Sequence, residues 1–214
     1  DAVQSSVTLK NSSGKAKIYR LDWTESQPLD VDLGTLDYRL IQEDGLTYVS
    51  LRSFVSGTYD NMLARYAREG AKARGSKAVI YDLRGNVGGS DSWPRKWIQS
   101  FLGTQNSIET SMLYAQKNSA LFAAENSESL LPEDEGTCFA REVHGTWYEN
   151  DIPIIVLVDD HCGSSGEGAV QLLKTLDNVL IVGSNTAGYQ LCGNISTFTL
   201  PYTGIGVRFG STLF

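Results

Sequence analysis

Apolar residues run almost without interruption from Ile152 to Val158, mostly Ile and Val, and Asp159-Asp160-His161-Cys162-Gly163 then breaks the run. Such a stretch predicts a strand buried on both faces and closed by a turn. The period then changes. Ala169, Val170, Leu172, Leu173 and Leu176 recur at helical spacing behind Ser164-Ser165-Gly166-Glu167, a Ser-x-x-Glu pattern that predicts a capping box at a helix start. A second apolar run, Val179-Leu180-Ile181-Val182, leads into the turn Gly183-Ser184-Asn185-Thr186-Ala187-Gly188. The predicted unit is strand, tight turn, helix, strand. Two serines sit at its strand-to-helix corner, where free N–H groups and the positive helix end favour negative charge.

The pattern elsewhere predicts further elements. Val7 to Lys10 and Ala16 to Leu21 alternate around Asn11-Ser12-Ser13-Gly14 as a hairpin, and the aperiodic stretch from Asp22 to Thr35 reads as a connector. Tyr38 to Ile41 and Leu46 to Leu51 form a second hairpin around Asp44-Gly45, a turn signal between β-prone runs. Met62, Leu63, Tyr66 and Ala67 predict a helix with Asp60 as N-cap, ending near Gly70 or Gly75. Ala78 to Tyr81 is a short buried strand, and Trp93, Trp97, Ile98, Phe101 and Leu102 mark a helix over Ser92 to Leu102. Residues 103–150 read as a surface insertion, with a short hairpin over Thr137 to Tyr148. Ser196 to Leu200 and Gly206 to Phe209 form a closing hairpin. Because the chain stops at Phe214 in a strand-like run, continuation beyond it is expected. Strands alternating with helices define an α/β class with a mainly parallel central sheet. The expected organisation is an N-terminal hairpin and connector over 1–45, the remnant of a preceding module, and an α/β core over 46–214.

Composition narrows the function classes. The 214 residues carry a formal charge of −7 with no basic stripe along the sequence, which argues against a nucleic-acid partner. No apolar run is long enough to span a membrane. Cys138, Cys162 and Cys192 lack metal-ligand spacing, and His144 and His161 are the two histidines, so no metal site is expected. Cys162 and Cys192 flank the central unit, leaving open a disulfide or reduced thiols.

Two stretches are candidates for chemistry. A Ser at a strand-to-helix corner is either an N-cap or an exposed nucleophile, and the full G-x-S-x-G elbow is absent. Asp82-Leu83-Arg84-Gly85-Asn86-Val87-Gly88-Gly89-Ser90 follows a strand, and its glycines either make a structural turn or present N–H groups to an oxyanion. It carries neither phosphate-loop fingerprint.

Taken in order, Asp82 to Gly89, Pro153 to Asp159, Gly163-Ser164-Ser165-Gly166-Glu167 and Val182 to Gly188 resemble the C-terminal processing (tail-specific) serine peptidases, in their tricorn-core-like branch. The resemblance covers roughly residues 46–102 and 150–212. It implies a crotonase/ClpP-like core of stacked β-β-α units and serine peptidase chemistry on peptide or protein segments, without a cofactor. By the S-x-x-E motif it maps the nucleophile onto Ser164, with oxyanion donors from Ser165, Gly88 and Gly89, and binding contributions from Gly85, Asn86 and Gly188. Glu167 becomes the support of the corner. A full PDZ domain does not fit before residue 46; residues 1–21 resemble at most its final hairpin.

The chain departs from that family at the base. The processing peptidases place a lysine where this chain has Tyr189, and the tricorn-like members a histidine where it has Ser50. Tyr189, His161 and His144 remain as base candidates, as does a group outside this chain. The tricorn-like glutamate after the serine also lacks a counterpart, since no Asp or Glu follows Asp177. Two readings therefore stand: a serine peptidase with an altered base, and a non-catalytic relative that binds peptide or an apolar ligand in the same cleft. An acyl-CoA enzyme on the same scaffold is disfavoured because it has no need of the Ser-x-x-Glu corner. The resemblance also implies an extracytoplasmic bacterial protein, periplasmic, cell-surface or secreted, with its leader removed.

Overall fold

The computed structural model describes residues 3–10, 13–23, 38–57, 59–119, 123 and 132–213. In chain order the strands are β1 (Val3–Lys10), β2 (Ala16–Trp23), β3 (Arg39–Glu43), β4 (Leu46–Ser50), β5 (Ala78–Asp82), β6 (Met112–Lys117), β7 (Cys138–Val143), β8 (Ile154–Val158), β9 (Val179–Gly183), β10 (Cys192–Thr199) and β11 (Gly206–Leu213). The helices are α1 (Asp60–Glu69), α2 (Ser92–Leu102) and α3 (Ser165–Leu173). Two compact units divide the chain: residues 1–109 with 146–188, and residues 110–145 with 189–214.

The first unit carries a mixed α/β architecture around a five-stranded sheet of order β3-β4-β5-β8-β9. β3 and β4 pair antiparallel across Asp44-Gly45, both in the left-handed region with φ of 51° and 81°, as a two-residue hairpin requires. β4, β5, β8 and β9 are mutually parallel. Ile154, Val156 and Val158 of β8 are buried while Ile155 and Leu157 are half-buried, so both faces of this interior strand are covered. α1 turns Leu63, Tyr66 and Ala67 inward, and α2 turns Trp97, Ile98 and Phe101. The Trp97 ring stacks on Phe101 at 5.4 Å and meets Tyr81 edge-on at 4.9 Å, fastening α2 to the sheet.

Asp60 is the first residue of α1 and not its cap, which falls on Tyr59. Its Oδ1 accepts the Gly57 N–H at 2.9 Å, and its charge still lies in the first turn, where the helix dipole favours it. β1 and β2 form the expected antiparallel hairpin. The connector expected over Asp22 to Thr35 lies largely outside the described residues.

The second unit is a four-stranded antiparallel sheet of order β10-β11-β6-β7. The hairpin expected within Thr137 to Tyr148 is not there. Cys138–Val143 instead pairs across the sheet with Met112–Lys117, a strand whose alternation is too weak to read alone. β10 and β11 pair around residues 200–205 as expected, and Thr212 and Leu213 join them to β6. No described helix is long and apolar enough to cross a membrane.

Parallel strands deliver their C-terminal ends to one edge. Residues 51–54 after β4, the glycine loop after β5, the serine corner after β8 and the turn after β9 therefore gather there.

Candidate active site

The glycine loop is anchored by a buried charge network. Asp82 is fully buried; its Oδ1 accepts Arg84 N–H at 3.0 Å and Arg84 Nε at 2.9 Å, and its Oδ2 accepts Arg84 Nη2 at 2.8 Å and the Tyr48 hydroxyl at 2.7 Å. Arg52 Nη1 lies 3.4 Å from Asp82 Oδ1 and also donates to Arg84 O. Burial alone would raise the Asp82 pKa, but the Arg84 side chain, the Tyr48 hydroxyl and Arg52 outweigh it and hold the carboxyl below its ordinary value. A depressed folded pKa contributes stability that is complete above the unfolded value of about 3.9 and is lost as pH falls through the folded one. Urea midpoints measured from pH 6 down to pH 3 should therefore fall more steeply for the native protein than for Asp82→Asn. Parallel curves would remove Asp82 from the acid limb.

Beyond Asp82 the loop is stitched to its neighbours. Asn86 is buried, donates Nδ2 to Leu51 O at 2.8 Å and accepts Gly88 N–H on Oδ1 at 2.9 Å. Gly85 N–H reaches Asp159 Oδ1 at 2.8 Å, and Gly163 N–H reaches Asn86 O at 2.9 Å. Phe54 N–H donates to Gly88 O at 2.7 Å and Ser90 N–H to Phe54 O at 2.9 Å, continuing the parallel pairing past the strand ends. These bonds leave the Gly89 N–H with no acceptor among the described residues.

At the corner Ser164 is exposed and has φ 53° and ψ −125°, a backbone state that costs a non-glycine residue about 1–3 kcal/mol. Surrounding contacts hold it there. A Cβ on Gly88 would lie 2.7 Å from Ser164 Cβ, 2.9 Å from Gly163 O and 3.0 Å from Ser165 N, so the loop backbone presses directly on the corner. Ser165 differs from its neighbour: it is 7% exposed and its Oγ donates to Gly89 O at 2.8 Å. Its N–H is among the first of α3, which has no acceptor within the helix.

Glu167 is the second anchor of the corner. Its Oε2 accepts Ser164 N–H at 3.0 Å, while Oε1 accepts the Thr186 hydroxyl at 2.7 Å and Gly188 N–H at 2.8 Å. The buried carboxylate thus joins the serine corner to the turn after β9, beyond the capping role legible from Ser-x-x-Glu. Glu167→Gln replaces an acceptor oxygen with a donor and should lower the rate of Ser164 acylation by about tenfold in a protein that still folds. Stopped-flow labelling checks this, and an unchanged rate would reduce Glu167 to a helix cap.

His161 is exposed, its Nδ1 lies 2.9 Å from Asp160 Oδ1, and no described imidazole or amine hydrogen-bonds to Ser164 Oγ. Asp159, Asp160 and His161 place ligand atoms within 4.8 Å of one another, but Asp159 Oδ1 already accepts two backbone N–H groups. Tyr189, which is exposed, and His144 belong to the second unit. Ser50, where a histidine stands in the tricorn-like branch, is buried with its Oγ unpartnered among the described residues. All three cysteines are free; burial, with the nearby Glu167 and Asp159 charges, pushes the Cys162 thiol up to about 12, so it stays protonated. Sequence reasoning missed Arg52, Tyr48 and Thr186, whose partners lie 30, 34 and 19 residues away and leave no local signature.

The first unit is thus an α/β domain whose loops converge at the C-terminal edge of a parallel sheet, around an exposed serine at a helix start. The sequence pattern of peptidase family S41 matches residues 45–209, most of the chain, and the chain belongs to that family. No curated protein matches. Among solved structures, mature CPAF is similar in fold at 12% identity and a TM-score of 0.54, over 99% of this chain and 59% of that one. A Parabacteroides merdae protein classed only provisionally as a peptidase aligns at 25% identity and a TM-score of 0.48, over 84% of this chain and 54% of its own. The photosystem II D1 C-terminal processing protease aligns at 16% identity and a TM-score of 0.47, over 100% of this chain and 50% of its own. The chain spans about half to three-fifths of the length of these structures.

Proposed function

We propose that this chain carries the nucleophilic half of a serine peptidase site that cleaves peptide or protein segments, in the manner of C-terminal processing, through an acyl-enzyme on Ser164. The observation that supports it most is the contrast between the two corner serines: Ser164 is exposed in a strained backbone state, whereas the Ser165 hydroxyl is engaged by Gly89 O. Ser164 Oγ attacks the scissile carbonyl carbon and gives up its proton to a base; the carbonyl electron pair moves to oxygen. The oxyanion is met by Ser165 N–H and Gly89 N–H, each donor lowering the barrier by roughly 2.7–4 kcal/mol. Gly88, its own N–H held by Asn86, carries no side chain and so lets the glycine loop press against the Ser164 corner. Collapse expels the amine, which takes a proton, and water then hydrolyses the ester. His161, His144, Tyr189 and a group outside this chain are the candidates for the base. We propose in addition that the protein acts outside the bacterial cytoplasm, a reading that fractionation of the native host would test.

The experiment is fluorophosphonate labelling at neutral pH with mass-spectrometric location of the adduct. An adduct on Ser164 supports the peptidase. A folded protein that stays unlabelled, with the full-length natural protein unlabelled as well, overturns it in favour of a binding relative.

A further inference from the structure

Away from the serine corner, α1 and α2 leave a groove of about 570 Å³ between them. Ala64 and Ala67 from α1 keep its floor low, Trp93, Lys96 and Gln99 follow one another along α2 on its wall, and Gly103 lies just past the helix end. The groove is cationic. Arg68, Arg74 and Lys96 line it, no carboxylate among the described residues does, and this occurs in a chain whose formal charge is −7. None of the three makes an ion pair with a described carboxylate, in contrast to the nearby Arg65, Lys72 and Arg95, which pair with Glu69 or Glu109.

Two of the three cations are already oriented. Arg74 donates Nε to Ser100 O at 3.0 Å and to Phe101 O at 2.9 Å, which fixes its guanidinium at the α2 C-terminus. It packs over Gly103, where a Cβ would lie 3.0 Å from Arg74 Nη1. Lys96 Nζ sits 4.5 Å from the centre of the Trp93 ring. Fixed cations lose little side-chain entropy when an anion arrives; with Nε and Nη2 both donating to backbone carbonyls, Arg74 offers Nη1, which has no acceptor among the described residues.

The groove also has a direction. Trp93 Nε1 donates to Ser56 Oγ at 2.9 Å, two residues beyond Phe54, whose backbone brackets Gly88 and Gly89. From there α2 runs its 11 residues, about 16 Å, away from the glycine loop. An extended peptide covers that in about five residues.

We propose that this groove binds a carboxylate-bearing peptide segment, and, resting on the peptidase reading above, that it selects substrates with acidic residues several positions from the bond cleaved. The binding test uses the Ser164→Ala protein and fluorescein-labelled hexaglutamate, followed by anisotropy at 50 and 300 mM salt. Hexaglutamate should bind, weaken with salt, and bind at least about tenfold more weakly to a protein that also carries Arg68→Ala and Lys96→Ala, with an unchanged melting temperature. Arg74 is left intact because it closes α2. Equal affinity in the doubly substituted groove, hexaglutamine binding as tightly, or a DNA oligonucleotide outcompeting hexaglutamate at these residues would each overturn the proposal. In the active protein, a Glu run at that distance should lower KM with kcat unchanged. Binding without any peptide cleavage would sink the peptidase reading and leave the groove assignment standing.

Discussion

Ser164→Ala is expected to abolish fluorophosphonate labelling and to lower peptide hydrolysis by at least about 10³-fold, with little change in melting temperature. Alanine keeps the Cβ and the positive φ, so the corner retains its strain and its contacts with Gly88; the oxygen that is lost is the nucleophile and also half of the capping box, which costs about 1 kcal/mol. Ser165→Ala is the matched contrast: it deletes the bond from Ser165 Oγ to Gly89 O, costing about 1 kcal/mol, and should leave a labelled Ser164. A third variant tests the strain itself. Ser164→Gly should be more stable than Ser164→Ala by about 1 kcal/mol, since glycine adopts φ near 53° without a Cβ penalty. Labelling that persists in Ser164→Ala, or maps to Ser165 in the native protein, would reassign the nucleophile.

Gly89→Ala should lower stability by about 3 kcal/mol or more, read as a fall of roughly 6–12 °C in melting temperature. Two penalties coincide at this position. Its φ of 138° is one that side chains rarely adopt, and a Cβ would stand 2.1 Å from Phe54 C and 2.3 Å from Phe54 O, backbone atoms that cannot swing aside. Relief would require the glycine loop to part from residues 52–54, breaking the bonds from Phe54 N–H to Gly88 O and from Ser90 N–H to Phe54 O. Gly14→Ala provides the scale, because that glycine has φ 81° with nothing within 4 Å and should cost only about 1 kcal/mol. If the two substitutions cost the same, backbone strain alone governs the loop and the close approach contributes nothing.

Much of the architecture was readable because its determinants are local. An apolar Ile/Val run can be satisfied only by burial on both faces, and the run from Ile152 to Val158 accordingly supplied β8 (Ile154–Val158), an interior strand of the parallel sheet. Asp44-Gly45 needs two left-handed residues and took them. Helix α2 began and ended where its Trp, Ile and Phe spacing placed it. The motif order likewise led to the family to which the chain belongs. Residues 103–150 resisted the same reading, because an antiparallel strand with one solvated face leaves only weak alternation. Met112–Lys117 shows its identity only when Cys138–Val143 and Leu213 pair with it.

For the site, the sequence by itself determined which residue types stand at the corner: two serines and a glutamate at capping distance, preceded in the chain by a glycine loop. Only the tertiary structure decided their division of labour, exposing Ser164, tying Ser165 to Gly89 and joining Glu167 to Thr186 and Gly188. The same holds for Arg52 and Asp82 beneath the loop, and for Arg68, Arg74 and Lys96, which form no basic stripe along the chain yet line one groove. The physical reason is range. Capping, turn chemistry and periodicity act over a few residues and are written into neighbouring letters, whereas charge pairing and backbone approach depend on distances that exist only once the parallel sheet has brought its strand ends to one edge.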